Sequence, residues 1–182
     1  DVVITHMHYD HAGNDGLFPQ ARFHLQDSEM GFATGRCMCH AGMNHPYELE
    51  DVVAMVRRVY AGRVCFHDGD SELFPGITLH HVGGHARGLQ ALRVQTRRGP
   101  VVIASDTAHH YAHIQRRKVF PTVDSVADVF AGYDRLESLA PGLDHIIPGH
   151  DPLVAQLYPS HSDATAGWIS RLDAAPKPLP AA

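Results

Sequence analysis

The chain has 182 residues, 44% of them apolar and 19% charged, with 15 Lys and Arg against 20 Asp and Glu for a formal net charge of -5. That length suits one domain with a real core. The composition excludes long disorder, a coiled coil and a basic face for nucleic acid, and no run reaches the roughly eighteen apolar residues of a membrane span. Neither nucleic acid nor membrane is expected as a partner.

In chain order, Val2 to Thr5 reads as a strand entered directly from Asp1, without an initiator Met, so the natural N-terminus is expected to be missing. Arg22 to Leu25, Arg63 to His67, Ile77 to Val82, Ala91 to Thr96, Val101 to Ser105 and His145 to Ile147 are further short β-rich runs bounded by turn residues. Leu92 to Val102, interrupted by Arg97-Arg98-Gly99-Pro100, reads as a hairpin. Two segments carry the helical period. Tyr47 to Tyr60 places Leu49, Val52, Val53, Val56, Val59 and Tyr60 on one stripe, and a second helix runs from Ser125, its N-cap, through Val126, Val129, Phe130, Tyr133, Leu136 and Leu139 to the stop at Pro141-Gly142. Both are expected to lie on sheet, in a mixed α/β domain over residues 1–173 with a flexible tail over 174–182.

The chemistry is concentrated in histidine. There are 16 His and only 3 Cys, which points to nitrogen and oxygen ligation of metals and away from disulfides. The odd number of cysteines, Cys37, Cys39 and Cys65, favours a reducing, cytoplasmic setting. After the first strand comes Thr5-His6-Met7-His8-Tyr9-Asp10-His11. In extended backbone, residues two apart point the same way, so His6 and His8 can meet on one ion while Asp10 and His11 face a second. His85 after Gly83-Gly84, Asp106 after Ala104-Ser105 and His150 after Pro148-Gly149 each end an apolar run, and Asp106 has two oxygens with which to bridge two cations.

This His-x-His-x-Asp-His signature, followed by Gly-His, Ser-Asp and Pro-Gly-His, resembles the metallo-β-lactamase superfamily over nearly the whole chain. The resemblance implies an αββα sandwich whose N-terminal strands are missing here, leaving exposed apolar surface and a pocket open on one side. It also implies two zinc ions, other divalent transition metals being alternatives: His6, His8 and His85 on the first, Asp10, His11 and His150 on the second, and Asp106 bridging. The segments Val82 to Gln90, Ala104 to Tyr111 and Ile146 to Val154 resemble the N-acyl homoserine lactonases, the quorum-quenching branch. The β-lactamase branch has Cys where Asp106 stands, and the flavodiiron branch has Glu where His8 stands.

The lactonase resemblance implies a small-molecule lactone or ester substrate, opened by a hydroxide shared between the zinc ions, with Asp10 passing the proton to the departing alkoxide. One departure is visible. Lactonases place Tyr three residues after the bridging Asp, where this chain has His109, and Tyr111 follows two residues later; either is a candidate oxyanion donor. The alternatives are a hydroxyacylglutathione hydrolase-like enzyme for thioesters or phosphoesters, and a catalytically weak metal-binding remnant. A glutathione thioester needs a basic cluster, and Arg36, Arg57, Arg58 and Arg87 are scattered.

Outside the signature, Gly35 to His45 is expected to form a pocket wall through Met38 and Met43, with a third metal on Cys37, Cys39 and His40 as a lesser reading. Arg87 and Gln90 are candidate substrate contacts. Asp151 is read either as orienting a ligand imidazole or as capping the next helix. Nothing in the sequence specifies an oligomeric state.

Overall fold

The computed structural model describes residues 1–180; Ala181 and Ala182, the end of the expected tail, lie outside the described residues. Two sheets stack between two long helices, as expected for the αββα class. The first sheet is parallel, in the order β1 (Val2–Val3), β2 (Phe23–Gln26), β3 (Val64–His67). The second holds β4 (Ser71–Phe74), β5 (Ile77–His81), β6 (Gln90–Thr96), β7 (Gly99–Ser105) and β8 (Ile146–Pro148), antiparallel except for the β7 to β8 pair. Helices are α1 (Tyr9–Ala12), α2 (Asp27–Ala33), α3 (Ala41–Asn44), α4 (Leu49–Tyr60), α5 (Tyr111–Arg116), α6 (Val126–Leu139) and α7 (Leu153–Leu157). No helix among the described residues is long and apolar enough to cross a membrane.

The expected hairpin forms, with Thr96 opposite Gly99. Helix α6 starts where Ser125 Oγ accepts the Asp128 N–H at 3.2 Å. It buries Val129, Tyr133 and Leu136 against Ala91, Val102, Ala104 and Ile146 of the second sheet. On the other side, α4 packs Val52 and Met55 onto Phe23 and Leu25. The stripe read for α4 is shifted: Met55 is buried, whereas Leu49 and Tyr60 at its two ends are exposed.

All four residues of β2 are buried, including His24 and Gln26, because it is the central strand of its sheet and is covered on both faces. The two sheets are joined by amide side chains. Gln90 Nε2 donates to Ile4 O and His24 O, and Gln26 Nε2 donates to Gln90 Oε1. Gln90 is therefore a buried brace between layers, not the substrate contact expected from sequence.

Strand β1 lies at the edge of its sheet. Beside it a cavity of about 610 Å³ opens between the sheets, lined by Val3, Thr5, Ile103 and Ile147 and reaching His11 and His150. The tail differs from expectation. Residues 174–180 form no helix or strand, but Lys177 N–H donates to Leu157 O and Leu179 packs on the cluster of Val101, Tyr111, Ile147, Leu157 and Tyr158. One leucine among prolines gives this segment an apolar anchor.

Candidate metal centre

Four loops and the short helix α1 at one end of the sandwich bring all seven expected ligands together. The turn after β1 carries His6 and His8, α1 carries Asp10 and His11, and the loops after β5, β7 and β8 carry His85, Asp106 and His150. The rings of His6, His8 and His85 have mutual centroid distances of 4.5, 4.9 and 4.6 Å, and their ligand atoms form one group able to hold an ion. Asp10, His11 and His150 form a second, with Asp10 Oδ2 3.6 Å from the Nε2 atoms of both His11 and His150. Asp106 stands between. Its Oδ2 lies 3.3 Å from His85 Nε2 and 4.0 Å from His6 Nε2, and its Oδ1 lies 3.1 Å from His11 Nε2 and 3.2 Å from His150 Nε2.

The backbone explains how Asp106 reaches that point. Pairing of β7 with β8 shifts register between Ile103 and Ser105, and Ser105 adopts the left-handed region at φ 47°, which re-aims the next side chain. Gly149 then allows close approach, since a Cβ there would lie 2.7 Å from Asp106 Oδ1.

The two groups differ in exposure. His6, His8, His85 and Asp106 are buried, whereas Asp10 and His150 are exposed. Burial, reinforced by neighbouring imidazoles, lowers the pKa of His6 well below the usual histidine range. Burial takes His8 to about 3, with His85 adding to it, and takes His85 to about 4. His11 goes the other way: burial lowers it, but Asp106 and Asp10 raise it further. Burial opposes ionisation of Asp106, yet hydrogen bonds from His109 and His11 and the charge of His6 hold its carboxyl far below the ordinary range.

A cavity of about 220 Å³ covers the centre, lined by His8, Tyr9, Asp10, His45, Pro46, His85, Asp106, His109, Thr122 and His150. His109 Nε2 hydrogen-bonds Asp106 Oδ2 at 3.0 Å, and its ring stacks on Phe120 at 3.8 Å. Tyr111 is not in this lining. Its side chain is buried with Val101, Ile147, Leu157 and Tyr158, and burial raises its pKa. A second cavity of about 280 Å³ shares Pro46, His85 and Thr122 with the first and is walled further by Phe32, Met43, Phe120, Pro121, Val123 and Asp124.

Of the remaining sequence expectations, Met43 lines that second cavity and Met38 does not. Among the described residues, no group of three ligand atoms includes Cys37, Cys39 or His40, and the three cysteines are free. Arg87 is paired with Asp124 through two bonds of 3.1 and 3.2 Å and lies over Phe32. Asp151 caps: it accepts the Tyr111 and Leu153 N–H groups. Sequence reasoning missed Phe120, Thr122 and Pro46 as lining residues, and it missed Glu29, whose buried carboxylate accepts the Met7 and Gly88 N–H groups.

Residues 1–150 match the family profile of the metallo-beta-lactamase superfamily. An N-acyl homoserine lactonase from a Bacillus species is 26% identical over 125 residues, covering 68% of this chain and 44% of that protein. The N-acyl homoserine lactonase AiiB of Rhizobium rhizogenes is 31% identical over 143 residues, covering 75% and 49%. The chain thus spans about half the length of the curated relatives it matches. Among solved structures, an N-acyl homoserine lactone hydrolase with N-hexanoyl-L-homoserine at its catalytic metal centre aligns with TM-score 0.67 at 24% identity, over 82% of this chain and 54% of that one. The dizinc quorum-quenching lactonase AidC aligns with TM-score 0.60 at 17% identity, over 82% and 56%. Ligand loops, layered sheets and profile agree: the chain belongs to the metallo-β-lactamase superfamily.

Proposed function

We propose that this chain carries the catalytic centre of a dinuclear zinc hydrolase that opens lactone rings, with N-acyl homoserine lactones as the first substrates to test. The carrying observation is the convergence of five imidazoles and the carboxylates of Asp10 and Asp106, beneath a small cavity that adjoins a second one walled in part by Phe32, Met43 and Phe120. The donor set fits divalent metal. His6 Nε2 is buried without a hydrogen-bond partner, and Asp106 Oδ1 faces the Nε2 atoms of His11 and His150 at 3.1 and 3.2 Å. Such inward-turned imidazole nitrogens and carboxylate oxygens are the ligands zinc prefers. His6, His8 and His85 would hold one ion, Asp10, His11 and His150 the other, and Asp106 would touch both. Bound there, zinc or another divalent transition metal supplies Lewis acidity and a hydroxide at neutral pH.

The chain's own groups do the rest. Asp10, at the open side of the cavity, takes the proton of the attacking water and returns it to the alkoxide released from the ring, so lactone plus water gives a hydroxy acid. His109, whose Nε2 faces Asp106 Oδ2 here, would turn that N–H to the carbonyl oxygen once Asp106 is committed to the ions; its place in the lining favours it over Tyr111. Phe120 holds the His109 ring in position. The Phe32, Met43 and Phe120 cavity receives the acyl chain.

A glutathione thioester fits less well, because Arg87 is already paired with Asp124 and Arg58 with Asp15 at 2.5 Å. A hydrolysis panel of acyl homoserine lactones, plain γ-lactones and a glutathione thioester on the zinc-loaded protein tests the reading. Metal-dependent turnover of the lactones is expected. Preferential thioester cleavage, or turnover indifferent to chelation, would refute it.

A further inference from the structure

Glu29 sits in α2, outside the seven ligands, and its side chain is fully buried. A carboxylate in such a place is costly unless donors satisfy it. Three do. Oε1 accepts the Met7 N–H at 2.8 Å and the Tyr47 hydroxyl at 3.0 Å, and Oε2 accepts the Gly88 N–H at 2.8 Å. Met7 is the residue between His6 and His8, and Gly88 lies three residues after His85 in the loop between β5 and β6. The two oxygens of one side chain therefore tie together the two loops that supply the buried ligand group.

Gly88 shows how tightly this is built: a Cβ there would fall 2.2 Å from Glu29 N and 2.3 Å from Glu29 Cβ. No larger residue fits without moving α2 or the His85 loop. Tyr47 completes the arrangement, because its ring stands edge-on to the His8 imidazole, centroids 4.7 Å apart at 89°, while its hydroxyl reaches Glu29. All three partners are donors, and an ionised carboxylate is acceptor-only. Glutamine would turn an NH₂ toward one of those donors, so the site calls for an acceptor at both oxygens, although burial itself raises the Glu29 pKa.

We propose that Glu29 is a positioning residue for the His6, His8 and His85 group: its carboxylate sets the distance between the two ligand loops, and Tyr47 locks it against His8. This role rests on the metal-centre reading above. It acts through the backbone and touches neither substrate nor metal.

The test uses Glu29→Gln and Tyr47→Phe beside the wild-type chain, with zinc affinity measured by chelator competition and the d–d spectrum recorded after Co²⁺ substitution. Outer partners of metal ligands typically change affinity by about 10- to 100-fold. Glu29→Gln is expected to weaken one of two zinc equivalents about tenfold or more, to shift the cobalt band, and to lower kcat with KM nearly constant. Tyr47→Phe, which keeps the ring against His8, is expected to do the same to a smaller degree. A folded Glu29→Gln chain with wild-type affinity and spectrum overturns the role while leaving the metal centre intact; a wild-type chain that binds no metal overturns both. If Glu29→Gln does not fold, Tyr47→Phe decides, and unchanged affinity and spectrum there overturn the proposal.

Discussion

Replacing His109 and Tyr111 separately by Phe distinguishes the two candidate oxyanion donors. His109 has a quarter of its side chain exposed, stacks on Phe120 at 3.8 Å and donates to Asp106 at 3.0 Å. Phenylalanine keeps the stacking and removes the donor. Loss of one hydrogen bond to a charged group, discounted for partial exposure, should cost about 1 kcal/mol of stability. Loss of an oxyanion donor lowers kcat by about 10² to 10³, and partial solvent access places His109→Phe at the lower end, about a hundredfold, or roughly 2.7 kcal/mol in the transition state. Tyr111→Phe removes a hydroxyl that does not line the cavity, and kcat should stay within about twofold. The assay is acid release on ring opening of an acyl homoserine lactone, with metal content checked for each variant. A hundredfold loss in Tyr111→Phe with His109→Phe near wild type would refute the assignment.

Three other outcomes follow from the geometry. His8 and His85 have folded pKa values of about 3 and about 4 against 6.5 for the free side chain, so below about 6.5 the unfolded chain takes up protons that the folded one refuses. The metal-free protein should lose up to about 1.4 kcal/mol per pH unit for each ring as pH falls from about 6.5 toward 4; urea midpoints that do not move over that window would contradict this. Gly149→Ala forces a Cβ to within 2.7 Å of Asp106 Oδ1, and zinc titration should show about tenfold weaker binding or worse; wild-type affinity would mean that the loop yields freely. Met43→Ser removes an apolar wall from the 280 Å³ cavity and should raise KM for long-chain substrates several-fold over short-chain ones, whereas an equal effect on both would remove the acyl assignment.

The candidate ligands were legible because metal binding restricts residue type and would place each ligand where a strand ends. His6, His8, His85, Asp106 and His150 all follow apolar runs, and β1, β5, β7 and β8 end at one edge of the sandwich. The elements that escaped are short and carry little period: β4 has four residues on the outer side of its sheet, and α2 follows β2 without a turn residue. Tyr111 was ambiguous because sequence distance from Asp106 does not give direction. It opens α5, where the chain passes from extended backbone at His110 into helix, so its side chain departs from that of His109 and enters the core. Glu29 was invisible for another reason. Two of its three partners are backbone groups 22 and 59 residues away, and no spacing of side-chain types records a hydrogen bond to backbone.

That difference bears on how the centre is kept. Without an ion, His6 Nε2 is a buried polar atom with no hydrogen-bond partner, at a cost of about 1–3 kcal/mol; the left-handed Ser105 adds strain of its own. The surroundings offset this with fully satisfied polar contacts: the glutamine brace between the sheets, the Glu29 carboxylate with its three donors, and Thr5 Oγ1 at 2.8 Å from Ser105 Oγ. A bound divalent cation would engage the inward-turned nitrogens and oxygens together, so its binding free energy would appear directly as folding stability. The residues that hold the ligand loops and those that face the ion are thus coupled: loosening the former should weaken metal binding, and removing metal should loosen the loops.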